Sequence, residues 1–192
     1  MIRRGRRRDQ PGFSLLELVV VIVLISILLT IAIQQLIVAK AQAERVAMQQ
    51  VLGSIRSGMT IRLAELILRG KLSEADLLAG SNPMQFLAEV PQNYVGELFD
   101  PDPRSVPRGS WYFDRKEGTL CYVVDSTEYF AAASPPPARA RFAIRTVFED
   151  QDGNGRYDRG VDLLRGLQLA TLEPYAWNIR FAAPDLLWAR RR

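Results

Sequence analysis

Histidine is absent from the chain, and cysteine occurs once, at Cys121. Without histidine neither a Ser-His-Asp nor a Cys-His nucleophile can be assembled, and zinc, whose protein sites draw mainly on Cys and His, lacks its usual ligands. A single cysteine forms no intramolecular disulfide, and no GxxxxGK phosphate loop occurs. A hydrolase built on a carboxylate pair needs only Asp and Glu and passes this filter. Proline is missing between Pro11 and Pro83, so nothing in that stretch forces a helix to break. A broad basic surface is missing too. The formal charge is +4, but Arg3, Arg4, Arg6, Arg7 and Arg8 against Asp9 account for all of it. Removing those five basic residues and one acidic residue from 25 and 21 leaves 20 of each. Phosphate recognition needs concentrated Lys and Arg, so the remainder speaks against nucleic acid as a partner. Arg190, Arg191 and Arg192 form a smaller local cluster.

What the chain does have is GFSLLELVVVIVLISILLTIAI from Gly12 to Ile33, a run of apolar residues carrying one carboxylate, Glu17. From Phe13 to Ile33 a helix would rise about 31 Å, the thickness of a bilayer's hydrocarbon core. By the positive-inside rule the arginines hold the amino end in the cytoplasm and everything after Ile33 lies on the far side. Three readings fit such a segment. A cleaved secretory signal would use Ala39-Lys40-Ala41 or Ala41-Gln42-Ala43, but the run is too long for its apolar core and continues into a helical pattern without a break. A plain signal anchor would tolerate Glu17 near the membrane edge.

The third reading accounts for more of the residues. An arginine-rich leader, then Gly12, Phe13, Ser14-Leu15-Leu16-Glu17 and a Val/Ile/Leu run strongly resembles the type IV prepilin signal shared by pilins and type II secretion pseudopilins. The resemblance implies cleavage by a prepilin peptidase immediately after Gly12, N-methylation of Phe13, and an assembly role for Glu17, whose carboxylate would pair with the new amine of a neighbouring subunit. An isolated buried charge is heavily penalised, and an opposite charge beside it offsets much of that cost. Family members often carry a Gly near mid-span and a Pro near its end. Here Ser26 and Gln34 stand in those places, which favours a continuous helix.

Beyond the span, Met48, Leu52, Ile55, Met59, Leu63 and Leu66 recur at steps of three and four, the stripe of an amphipathic helix packing on a core, and Gly70 is a natural stop. Residues 71–108 are broken by Gly80, Pro83, Pro91, Pro101, Pro103 and Pro107, and read as a short helix near Ser73 to Leu78, another near Met84 to Glu89, and loops. A hairpin follows, Trp111 to Asp114 and Thr119 to Val124 around Gly118; Ser134-Pro135-Pro136-Pro137 is an exposed connector. Arg139 to Phe148, Leu163 to Leu172 and Trp177 to Phe181 are further strand candidates. Trp111, Tyr112, Phe113 and Tyr122 are expected to be core, and Cys121 an inert buried thiol.

The expected fold is α+β and pilin-like: one long N-terminal helix, membrane-spanning first and amphipathic second, packed on a small antiparallel β-sheet. The organisation is a leader (1–12), a transmembrane and assembly helix (13–33), an amphipathic helix (34–69), a helical and loop connector (70–108) and a sheet domain with an Asp/Gly-rich loop (109–192). That loop, EDQDGNGRYDRGVD from Glu149 to Asp162, places Asp150, Asp152, Asn154 and Asp158 at positions 1, 3, 5 and 9 of an EF-hand-like calcium loop, with Gly155 at 6. Position 12 is Val161 and the bidentate Glu is missing, with Asp162 one residue late. The same residues also make an ordinary turn between strands. Calcium is therefore one of two readings.

The function expected is a structural subunit and not an enzyme. It would be processed by a prepilin peptidase, and would assemble with sister pilins on an inner-membrane platform into, or prime, a type IV pilus or a type II secretion pseudopilus. Its domain would stand in the periplasm. The alternatives are a DNA-binding competence pilin and a signal-anchored periplasmic binding protein or enzyme.

Overall fold

The computed structural model describes residues 13–133 and 135–179. Contacts divide the chain into two units, Met1–Ala39 and Lys40–Arg192. Helix α1, Leu15–Leu68, is 54 residues long. It starts where Ser14 offers a cap: the amide of Glu17 donates to Ser14 Oγ at 3.2 Å and that of Leu18 to the Ser14 carbonyl at 3.1 Å. It stops where the sequence places Gly70. There φ is 67°, the Gly70 amide donates to Ile67 O and the Lys71 amide to Leu66 O, the paired bonds that close a helix on a left-handed residue. No proline interrupts the run, and the helix is continuous.

Within the first unit every described residue up to Ile37 is exposed. The polar hydroxyls in this run need no outside partner, since Ser26 Oγ donates to Ile22 O at 2.7 Å and Thr30 Oγ1 to Ser26 O at 2.9 Å.

Within the second unit, α1 turns Ala41, Met48, Leu52, Ile55, Met59 and Leu66 inward. They meet a five-stranded sheet of order β1-β2-β3-β5-β6, made of β1 (Tyr94–Leu98), β2 (Ser110–Asp114), β3 (Thr119–Val123), β5 (Arg139–Glu149) and β6 (Leu163–Thr171). β4 (Phe130–Ala132) and β7 (Tyr175–Trp177) pair separately. Alternation along the strands divides the sheet's two faces. Trp111, Phe113, Leu120, Tyr122, Phe142 and Ile144 pack with the helix stripe, with the Trp111 and Tyr122 rings 4.8 Å apart. Tyr112, Cys121 and Val123 face the other way, under Val106 and Leu98. These aromatics are core, as their pattern predicts. Cys121 is buried and burial pushes its thiol up to about 11, so little of it is thiolate at neutral pH.

The hairpin and the β5 and β6 strands fall where the sequence places them. The departures are local. The two short helices of the 71–108 stretch are 3₁₀ segments, Leu72–Leu78 and Pro83–Phe86, the second ending three residues before Glu89. That stretch also holds β1, and β1 runs parallel to β2 in a sheet otherwise antiparallel. Its inward-outward alternation is only five residues long, with a glycine at its centre and prolines before and after, so neighbouring strands and not local propensity create it. β4 is three residues long and depends on β7. β7 begins at Tyr175, two residues before the expected Trp177, and Arg180 and Phe181 lie outside the described residues.

Candidate functional site

Three places carry the chemistry singled out in the sequence. The first is the start of α1. Gly12 and the arginine leader lie outside the described residues. Phe13 is 81% exposed, and Glu17 lies four residues on, in the first helical turn, about 6 Å along the axis from Phe13. Ser14 and Glu17 sit three apart, the spacing of a capping box. Glu17 thus gains a second physical basis beyond any partner: a carboxylate in the first turn opposes the positive end of the helix dipole. This signal was available in the Ser-x-x-Glu pattern. From Leu15 to Leu36 the helix presents large apolar side chains to its surroundings, among them Leu16 at 73% and Leu36 at 70% exposure, a surface that water penalises and lipid or sister helices would cover.

The second place is the loop between β5 and β6. Both oxygens of Asp150 are engaged, with the Gly153 amide 2.7 Å and the Gly155 amide 2.8 Å away. These amide donors hold its carboxyl below the usual range. Asp152 accepts from the Asn154 amide and side chain, and Asp158 from Asn154 Nδ2. Asp162 is buried and takes the Gln151 and Asp158 amides. Carboxylate oxygens of Asp150, Asp152 and Asp162 lie within 4.8 Å of one another. Asp162, which the position count puts one residue late, therefore joins Asp150 and Asp152, while Asp158 sits beside the group, bonded to Asn154. An all-oxygen set of this kind fits a hard cation such as calcium. The loop is tied down at Arg159, whose guanidinium grips Asp76 of the Leu72–Leu78 segment and holds that carboxyl below its ordinary value.

The third is a groove of about 350 Å³ between α1 and the segment around Leu87 to Asn93, with Trp111 and Tyr122 at its base. Glu89 is the one carboxylate lining it. A paired-carboxylate hydrolase needs two facing groups, and this groove does not supply them.

A contact that sequence reasoning missed is Glu44. Its carboxylate takes the Tyr122 hydroxyl at 3.1 Å and the amides of Asp125 and Ser126 at 2.7 and 2.8 Å, and Lys40 pairs with Asp125 at 2.7 Å. The residues involved are some eighty positions apart, and no local pattern announces them.

No curated protein and no solved structure matches the chain. Residues 7–33 match the family model described as the prokaryotic N-terminal methylation motif. The chain therefore carries the signature of type IV pilins and pseudopilins, and among the described residues one helix, at the N-terminal end, is long and apolar enough to cross a membrane.

Proposed function

We propose that this chain is a pilin-like structural subunit. A prepilin peptidase removes the leader after Gly12, Phe13 becomes the methylated amino terminus, and the apolar half of α1 leaves the membrane to pack among sister subunits of a type IV pilus or a type II secretion pseudopilus. The observation that carries this reading is the methylation motif at residues 7–33 on a helix whose apolar surface is exposed among the described residues. Glu17 offers its carboxylate to a neighbour's Phe13 amine, a pairing that offsets the cost of burying both charges and sets the axial register of the filament. In the domain, Asp150, Asp152 and Asp162 would hold a calcium ion, with Asn154 and Asp158 beside them as the further oxygen ligands of the loop. The ion would neutralise carboxylates that otherwise repel one another.

Mass spectrometry of the protein recovered from its native membranes tests the core of this proposal. The expected amino terminus is N-methylated Phe13. An intact Met1, or a start near Gln42 or Glu44, overturns it and returns the segment to a signal anchor or a secretory signal.

A further inference from the structure

The two edges of the five-stranded sheet are not alike. At one, β1 is five residues long, centred on Gly96 and set between Pro91 and Pro101, features that blunt an edge. At the other, β6 runs nine residues without a proline, and its pairing with β5 is regular from Gly166 to Thr171. The backbone shows which groups of β6 are spare. The Ile144 carbonyl accepts the Gly80 amide at 3.1 Å, and the Arg141 carbonyl accepts the Leu172 amide at 2.9 Å. Odd-numbered residues of β5 as far as Val147 therefore turn their hydrogen-bonding groups toward β6, and even-numbered ones turn theirs away. Leu167, Leu169 and Thr171 stand opposite Thr146, Ile144 and Phe142. Their own amides and carbonyls thus point outward, where no described backbone group meets them.

The side chains of the same three residues floor a groove beside α1. Arg56, Thr60 and Leu63 of the helix, with Leu167 and Leu169, line a hollow of about 350 Å³. Arg45 and Gln49, with Thr171, Tyr175 and Trp177, line the next, of about 470 Å³. Among the described residues no carboxylate lines either hollow. Both arginines are exposed, and neither joins an ion pair among the described residues. Burial pushes the Tyr175 hydroxyl up, and Arg56 and Arg45 both pull it the other way, so the two charges act on one side chain. Residues 13–179 hold nineteen acidic residues and sixteen basic ones, and against that background a groove with two unpaired arginines and no acid selects a negatively charged occupant.

We propose that an extended acidic segment of a partner protein docks here as an antiparallel strand on β6, exchanging main-chain hydrogen bonds with Leu167, Leu169 and Thr171 and setting carboxylates against Arg45 and Arg56. In an antiparallel pair, a residue opposite Leu169 sends its side chain to the same face of the sheet, the face that α1 covers. The residues that bond to β6 are therefore the ones whose carboxylates meet the arginines. Arg45 and Arg56 are about 16 Å apart along the helix, a separation that acidic residues about four to six places apart on an extended strand match. The surface lies wholly within the second unit and does not depend on leader cleavage or on filament assembly.

The probe is a fluorescein-labelled heptapeptide, Glu-Val-Glu-Val-Glu-Val-Glu, titrated with the full chain in nonionic detergent and read by fluorescence anisotropy. Binding is expected below about 1 mM. Arg45→Gln together with Arg56→Gln, both at exposed positions, should weaken it by about tenfold. N-methylation of the glutamate amides, which removes the donors aimed at β6, should abolish binding, while N-methylation of the valine amides should leave it within about threefold. No binding up to about 1 mM overturns the proposal. So does equal loss from the two methylated peptides, loss from the valine set alone, or equal binding of a peptide with lysine in place of glutamate. A seven-nucleotide oligothymidylate that binds as tightly as the peptide assigns the groove to a polyanion instead. Dimerisation of the chain that the two arginine substitutions abolish and the peptide does not compete with assigns it to a second copy.

Discussion

Two glycines on one helix separate what propensity decides from what packing decides. Gly53 of α1 has nothing within 4 Å of where a Cβ would stand, whereas a Cβ on Gly58 would lie 2.1 Å from the Phe86 carbonyl oxygen. Alanine in a helix interior is favoured over glycine by about 0.5–1 kcal/mol. Overpacking against backbone costs about 1–3 kcal/mol, which exceeds that gain. Gly53→Ala should therefore stabilise the domain by about 0.5–1 kcal/mol, and Gly58→Ala should destabilise it by about 1–2 kcal/mol. Urea denaturation of the two variants in detergent measures both. A stabilising Gly58→Ala would mean that the Pro83–Phe86 turn does not sit against the helix.

At the scale of elements, the loop between β5 and β6 is held by its own side chains, with Asp150 and Asp162 each accepting two backbone amides. Such bonds shape the turn with or without an ion. The clustered oxygens of Asp150, Asp152 and Asp162 are what a cation would add to. Lacking a bidentate Glu, the site should bind calcium weakly, with a dissociation constant of about 10⁻⁴ to 10⁻³ M. At ten times that constant, linkage adds about 1.4 kcal/mol, a rise in Tm of about 3–6 °C for a domain of this size. Thermal melts with calcium or chelator, on the parent chain and on Asp150→Ala, should show that rise in the parent alone. An unchanged Tm up to about 10 mM calcium makes the loop a turn only.

For the whole molecule, membrane insertion and the proposed assembly would place opposite demands on Glu17. Removing Glu17 deletes a charge that costs about 2.5–3.5 kcal/mol at the centre of a span and less near its edge, so Glu17→Ala should insert at least as well as the parent. Leader cleavage, proposed to act after Gly12, should continue. Incorporation into filaments should fall, because a neighbour's Phe13 amine would then be buried without a counter-charge. Immunoblots of membrane and sheared filament fractions separate the two steps, and incorporation at the parent level would refute the pairing of Glu17 with that amine.

The long helix, its span, its inward stripe and its stop at Gly70 are legible in the sequence because each follows from residues within a few turns of one another: unbroken apolar runs, steps of three and four, a glycine free to take positive φ. The hairpin and the two long strands are legible for the same local reason. β1 and β4 are not, since each is too short to declare itself and exists through the strand it pairs with. Asp162 illustrates the same limit inside the loop. A position count leaves it one residue out of place, and only the closed turn brings its oxygen to Asp150 and Asp152. Glu44 goes further, joining helix to sheet across some eighty residues by three hydrogen bonds that no spacing encodes. The methylation motif was local and therefore readable from the chain alone. The gathering of Asp150, Asp152 and Asp162 and the anchoring of Glu44 to Tyr122, Asp125 and Ser126 were decided only by tertiary structure, because each depends on contacts that no local spacing encodes.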